Sequence, residues 1–170
     1  MKMEFVSRQT TFLMGMSFYG DPFKDAGDWS ESNEIGRLCR RYMDYATKNR
    51  NALLPMTVKD DFYEVHIYGE ESPARGFFEV FVGQETRELN SLPLELAIKI
   101  LPAGEFAKVD LAGHAIISDW YKDLDERLAR EGWQRGLPFF FQVYDQRYKG
   151  IERIAESELT AYIPVKPILK

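Results

Sequence analysis

Phe139-Phe140-Phe141-Gln142-Val143-Tyr144 is a short aromatic run that reads as a buried strand. It matches Phe62-Tyr63-Glu64-Val65-His66 in the first half when Phe140 is laid over Phe62. The strands that follow match as well: Phe78-Glu79-Val80-Phe81-Val82 lies over Leu159-Thr160-Ala161-Tyr162-Ile163. Working outward, the first half opens on the apolar run Phe12–Phe18, whose Gly15 suggests a bulge or a close backbone approach. An apolar stripe at helical spacing follows: Ile35, Leu38, Cys39, Tyr42, Tyr45 and Ala46. Asp28 or Ser30 is expected to cap that helix, with Glu31 closing a capping box, and Asn49-Asn51 to end it. Strands over Phe62–Tyr68 and Phe77–Val82 complete the half, joined by a loop holding Ser72-Pro73.

The second half repeats that order. Leu94–Ile100 alternates with period two, and Phe106–Leu111 follows a Pro-Ala-Gly turn. A helix is expected from Ala115 to Glu131, with Ile116, Ile117, Trp120, Tyr121, Leu124 and Leu128 inward and Gly132 as its stop. Strands over Phe139–Tyr144 and Leu159–Val165 close the chain. Each half is strand, helix, strand, strand, so the sequence predicts an α+β fold of two duplicated units, residues 1–83 and 84–170, with an antiparallel sheet. One helix and three strands are too little to fold alone, so the halves are expected to share one core as a single domain over 1–170.

The composition is that of a globular chain. Its 22 Lys and Arg against 27 Asp and Glu give a net charge of −5, evenly divided between the halves. That balance argues against a nucleic-acid backbone as a direct partner. A lone cysteine, Cys39, excludes an internal disulfide, and no apolar run is long enough for a signal peptide or membrane span. A cytoplasmic protein is expected. The excess is in aromatics: twelve Phe, nine Tyr and three Trp.

Nucleophile elbows, phosphate loops and dinucleotide fingerprints are absent from the sequence, and two histidines with one cysteine give no metal-ligand spacing. No cofactor, metal or catalytic set is expected. His66 reads as a packed strand residue and Cys39 as buried filler on the helix stripe. Tyr42 and Tyr45 on the first helix, and Trp120 and Tyr121 on the second, read as core packing or as the lining of a pocket. Glu64 and Glu79 stand out, because each interrupts an aromatic strand. Such a carboxylate either faces solvent or sits in an aromatic cup, where its desolvation is offset only when a cation arrives.

Several blocks resemble the GyrI-like small-molecule-binding domains, the effector-binding domains of AraC-type and other bacterial regulators. They are Gly36-Arg37-Leu38-Cys39-Arg40-Arg41-Tyr42-Met43, Phe78–Glu85, Leu92-Pro93-Leu94, Ile100–Val109 and, most specifically, Phe139–Asp145 with Ser157–Val165. The resemblance implies two pseudo-symmetric units with two main helices on an antiparallel sheet and a central groove that binds drugs or other lipophilic molecules. It implies a link to transcriptional regulation or to drug and toxin response, as in multidrug-binding regulators. With its first strand near the start, the chain is similar to the stand-alone form. Where the family often carries a pocket Glu, this chain has Gln142, which can hydrogen-bond a ligand but supplies no charge. The internal repeat places Glu64 at the equivalent position. The expected lining is therefore Tyr42, Glu64, Trp120, Phe141, Gln142 and Tyr144, around a lipophilic, cationic or aromatic molecule. Two other functions fit the resemblance: hydrolysis of a strained electrophile, with Glu64 or Glu79 activating water, and a protein-interaction module such as a gyrase inhibitor.

Overall fold

The computed structural model describes residues 2–24, 26 and 32–169. In chain order the described elements are β1 (Lys2–Arg8), β2 (Thr11–Gly20), α1 (Glu34–Lys48), α2 (Arg50–Leu53), β3 (Thr57–Tyr68), α3 (Ser72–Arg75) and β4 (Phe78–Thr86). After these come β5 (Ala97–Leu101), β6 (Gly104–Ala112), α4 (Leu124–Arg130), β7 (Trp133–Arg135), β8 (Phe139–Tyr144) and β9 (Glu158–Pro167). The chain is thus α+β, and its strands pair antiparallel.

The strands belong to two compact units, Thr11–Leu101 (the first unit) and Met1–Thr10 with Pro102–Lys170 (the second). Strand order is β3-β4-β2-β5 in the first unit and β8-β9-β6-β1 in the second, where β7 pairs β9 further along. The two orders match strand for strand, which is the duplication seen in the sequence. The units are not successive halves, however. β1 runs directly into β2 yet pairs with β6, Phe5 opposite Ala107. β5 runs directly into β6 yet pairs with β2, Ile98 opposite Met14. Each unit therefore takes its edge strand from the sequence that leads into the other.

The expected strands are present: β2, β3, β6 and β9 run beyond their expected ends, β4 runs on to Thr86, β8 ends as expected, and β5 starts at Ala97 where Leu94 was expected; β1 and β7 are additional. Helix α1 starts at Glu34, where Asn33 caps it by accepting a hydrogen bond from the Gly36 amide at 2.9 Å. The caps expected at Asp28, Ser30 and Glu31 lie outside the described residues. At the other end, Asn49 Nδ2 donates to the Tyr45 carbonyl at 2.9 Å and terminates the helix as expected. Leu38 and Tyr42 are buried on α1 against Met16, Phe78, Val80 and Val82. This is the hydrophobic core of the first unit's helix side.

The helix expected over Ala115–Glu131 does not form as one piece. A 3₁₀ turn at Gly113–Ala115 is followed by turns, and only Leu124–Arg130 is α-helical. The physical reason is local. Ile116 and Ile117 are β-branched, and Ser118 Oγ donates to the Ala115 carbonyl at 2.9 Å, competing with the helical ladder. Ile116, Leu124 and Leu128 are nevertheless buried, so the apolar stripe was a correct sign of burial. Gly132 ends α4 with φ +79°, a left-handed conformation suited to glycine. No helix among the described residues is long and apolar enough to cross a membrane.

Candidate ligand-binding site

Alternation along β3 places Phe62, Glu64, His66 and Tyr68 on the face that α1 covers. Phe62 packs on Tyr42 of α1, with ring centroids 5.9 Å apart. His66 and Tyr68 both pack on Phe78 of β4, at 5.5 and 5.1 Å. Between them Glu64 is only 4% exposed, a carboxylate inside an aromatic layer. His66 Nε2 lies 2.7 Å from Glu64 Oε1, and the Cys39 thiol of α1 donates to Oε2 at 3.9 Å. Burial, and then the negative charge of Glu64, push the Cys39 thiol well above its ordinary range, so it stays protonated. Burial likewise raises Tyr42, whose hydroxyl donates to Gln84 Oε1 at 3.2 Å. Its role here is that of a hydrogen-bonding wall, not of an acid that ionises near neutrality.

In the second unit β8 gives the same arrangement with neutral groups. Phe140, Gln142 and Tyr144 share one face, and the Tyr144 hydroxyl donates to Gln142 Oε1 at 2.7 Å. Gln142 is 1% exposed. Glu64 with His66 and Gln142 with Tyr144 are thus equivalent pairs, two residues apart on matching strands and each joined by a 2.7 Å contact, with Tyr144 half-buried and the other three buried. Trp120 stands on the turn that replaces the expected helix and meets Phe140 edge-on at 5.9 Å, and Tyr121 lies against the same ring at 5.3 Å.

Phe141 stands apart from the other expected lining residues. Its side chain points to the opposite face of β8, where it is fully buried and stacks on Tyr162 at 4.9 Å and 15°. Adjacent strand positions face opposite ways, so Phe141 and Gln142 cannot line one surface; Phe140 takes that place beside Trp120. Glu79 is on the opposite face of its own sheet, where Lys99 Nζ donates to Glu79 Oε1 at 2.7 Å. That is an ordinary structural ion pair. Sequence reasoning took His66 only as a packed strand residue and missed Phe140 as a member of the aromatic set. The signal was present in the i, i+2 spacing, which puts His66 beside Glu64 and Phe140 beside Gln142.

No family model matches the chain, and no curated protein does. Solved structures do. SAV2435 bound to tetraphenylphosphonium superposes with a TM-score of 0.65 at 11% identity, covering 98% of this chain and 94% of that one. The C-terminal domain of EcmrR gives 0.66 at 10% identity, with 98% of both chains covered. In an EcmrR–DNA complex the chain spans only 57% of the EcmrR chain. A hydrolase from Listeria innocua gives 0.55 at 10% identity, covering 97% of this chain and 92% of that one. At such identities the likeness is one of fold. The chain thus has the antiparallel α+β fold of these structures, the fold that the resemblance to GyrI-like domains implied.

Proposed function

We propose that this protein binds a small lipophilic cation on the helix side of its sheet, with Glu64 as the counter-charge. The observation that carries the reading is the placement of Glu64, an acid 4% exposed on the strand face that also carries Phe62, His66 and Tyr68. Removing a carboxylate from water is costly, and a protein that only needed a packed strand would carry an apolar residue there. A cation with aromatic or alkyl bulk would recover the cost through charge, while the rings add cation–π attraction and apolar burial. Tyr42 adds a hydroxyl to the site, and Phe62 and Phe78 of the same unit add aromatic surface. SAV2435, which shares the fold, is the structure bound to tetraphenylphosphonium, a permanent cation of this class. The fold shared with the C-terminal domain of EcmrR supports a role as an effector-binding protein tied to transcriptional regulation.

The test is calorimetric titration with tetraphenylphosphonium. Glu64→Gln is expected to weaken binding by about tenfold or more while leaving the fold intact, because it removes the charge and keeps the shape. Equal affinity in the variant would remove Glu64 from the account, and no binding by the wild type would remove the cation.

A further inference from the structure

We infer that His66 is the cation that balances Glu64 while the site is empty, and that an incoming lipophilic cation drives its proton into solvent. On the cation reading of Glu64 given above, this couples ligand binding to pH. His66 is 7% exposed and Glu64 4%, and the imidazole Nε2 lies 2.7 Å from the carboxylate Oε1. A buried charge persists where a partner meets it at hydrogen-bonding distance, and histidine is the base whose charge changes near neutral pH. Phe78 holds the ring in place, stacked on it at 5.5 Å and 25°.

The described groups that face the pair from the rest of the first unit contain no second base. Helix α1 presents Cys39, whose thiol donates to Oε2 at 3.9 Å and is kept protonated by burial and by Glu64 itself. The same helix presents Tyr42, which burial also keeps protonated. Strand β4 sets Val82 opposite Glu64, Val80 opposite His66 and Phe78 opposite Tyr68, and β3 adds the rings of Phe62 and Tyr68. Glu79 and Lys99 pair with each other on the opposite face. The second unit shows what the fold itself needs at these positions: there an amide and a phenol, Gln142 and Tyr144, make the same 2.7 Å contact. A titratable pair is therefore peculiar to the first unit, where packing alone does not call for it.

A permanent cation beside Glu64 sets two positive charges on one carboxylate for as long as the imidazolium remains. Like charges in a buried site repel strongly, so the favoured state loses the proton and keeps a neutral imidazole beside the new ion pair. No bond of the ligand changes; an imidazole N–H proton passes to the buffer. By reciprocity, proton and ligand weaken each other's binding by the same factor. Affinity therefore rises with pH, by at most about tenfold per unit when one proton is exchanged.

Tetraphenylphosphonium is the probe, titrated calorimetrically near pH 6.5 in phosphate and in bis-Tris, whose different heats of ionisation report the protons exchanged. The wild type is expected to release a proton on binding, and to bind at least about fivefold more tightly at pH 8 than at pH 6. His66→Gln keeps a donor for Glu64 and removes the titrating base, so it should bind with no proton released and with equal affinity at both pH values. Imidazole nitrogen shifts in NMR supply a readout that needs neither ligand nor a variant at His66. The other histidine, the exposed His114, is identified by His114→Gln. In the ligand-free protein at pH 6 the His66 ring should carry protons on both nitrogens, and saturation with tetraphenylphosphonium should remove one. A neutral ring in the ligand-free protein would overturn the inference. Binding without proton release, or release that survives in His66→Gln, would overturn it too and leave the cation reading of Glu64 standing. Absence of tetraphenylphosphonium binding at either pH would overturn that reading, and the coupling with it.

Discussion

Cys39 shows how one acid sets the chemistry of the groups around it. Burial already disfavours its thiolate, and Glu64 beside the sulfur adds like-charge repulsion, so both causes raise the thiol's pKa. Since the thiolate is the reactive form, Cys39 in the folded protein should react with iodoacetamide at pH 8 at least about tenfold more slowly than in the urea-unfolded chain. Glu64→Gln removes the second cause, so the thiol should titrate lower and alkylation should accelerate; a rate that does not change would mean that access alone protects the sulfur. Glu64 was legible in the sequence as an anomaly, an acid in an aromatic strand, but its two possible environments were not distinguishable there. The choice depended on which face of β3 the helix covers. His66 was legible as a packed strand residue beside Glu64, but not as the carboxylate's partner, because a histidine within a strand gains that meaning only when its neighbour at i−2 is known to point inward.

At the scale of elements, what was legible depended on whether local pattern or distant pairing decides the outcome. Strands β3, β4, β8 and β9 carry dense β-branched and aromatic residues, and the sequence placed them within a few residues of their ends. The second helix was not legible, since the buried Ile116, Leu124 and Leu128 fit a helical period although the backbone between them turns. Burial, not helicity, was what that periodicity reported. Gly15 is the converse case, a single residue whose suggested close approach is real. It faces Gly83 across β2 and β4, where an added Cβ would fall 2.0 Å from the Val82 carbonyl oxygen. At Gly83 the corresponding distance to the Met14 oxygen is 2.2 Å. Backbone in two paired strands cannot yield without breaking ladder bonds, so Gly15→Ala and Gly83→Ala should each cost about 3 kcal/mol in urea denaturation. Gly69→Ala, where a Cβ meets nothing within 4 Å, is the control and should change stability little. Asn33→Ala should cost about 1 kcal/mol through loss of the α1 cap.

For the molecule as a whole, the exchange of edge strands is the feature that reading along the sequence could not supply. The division into halves near residue 83 followed from matching local patterns, and those patterns are correct. Pairing of β1 with β6, about a hundred positions away, leaves no local mark, and Lys2–Arg8 alternates too weakly to announce a strand. The exchange has a consequence for how stability is distributed. β1 is continuous with the first unit's β2 through the two residues Gln9 and Thr10, yet its hydrogen bonds and the stack of Phe5 on Trp133, at 5.1 Å, belong to the second unit. Removing residues 2–8 should therefore expose the amides of β6 to solvent, even though the cut is made next to β2. In hydrogen exchange, amides along Glu105–Val109 should lose protection well before those of Leu13–Tyr19, which keep their partners in β4 and β5. Loss of protection first in β2 would mean that sequence adjacency, and not the exchanged pairing, governs how the units open.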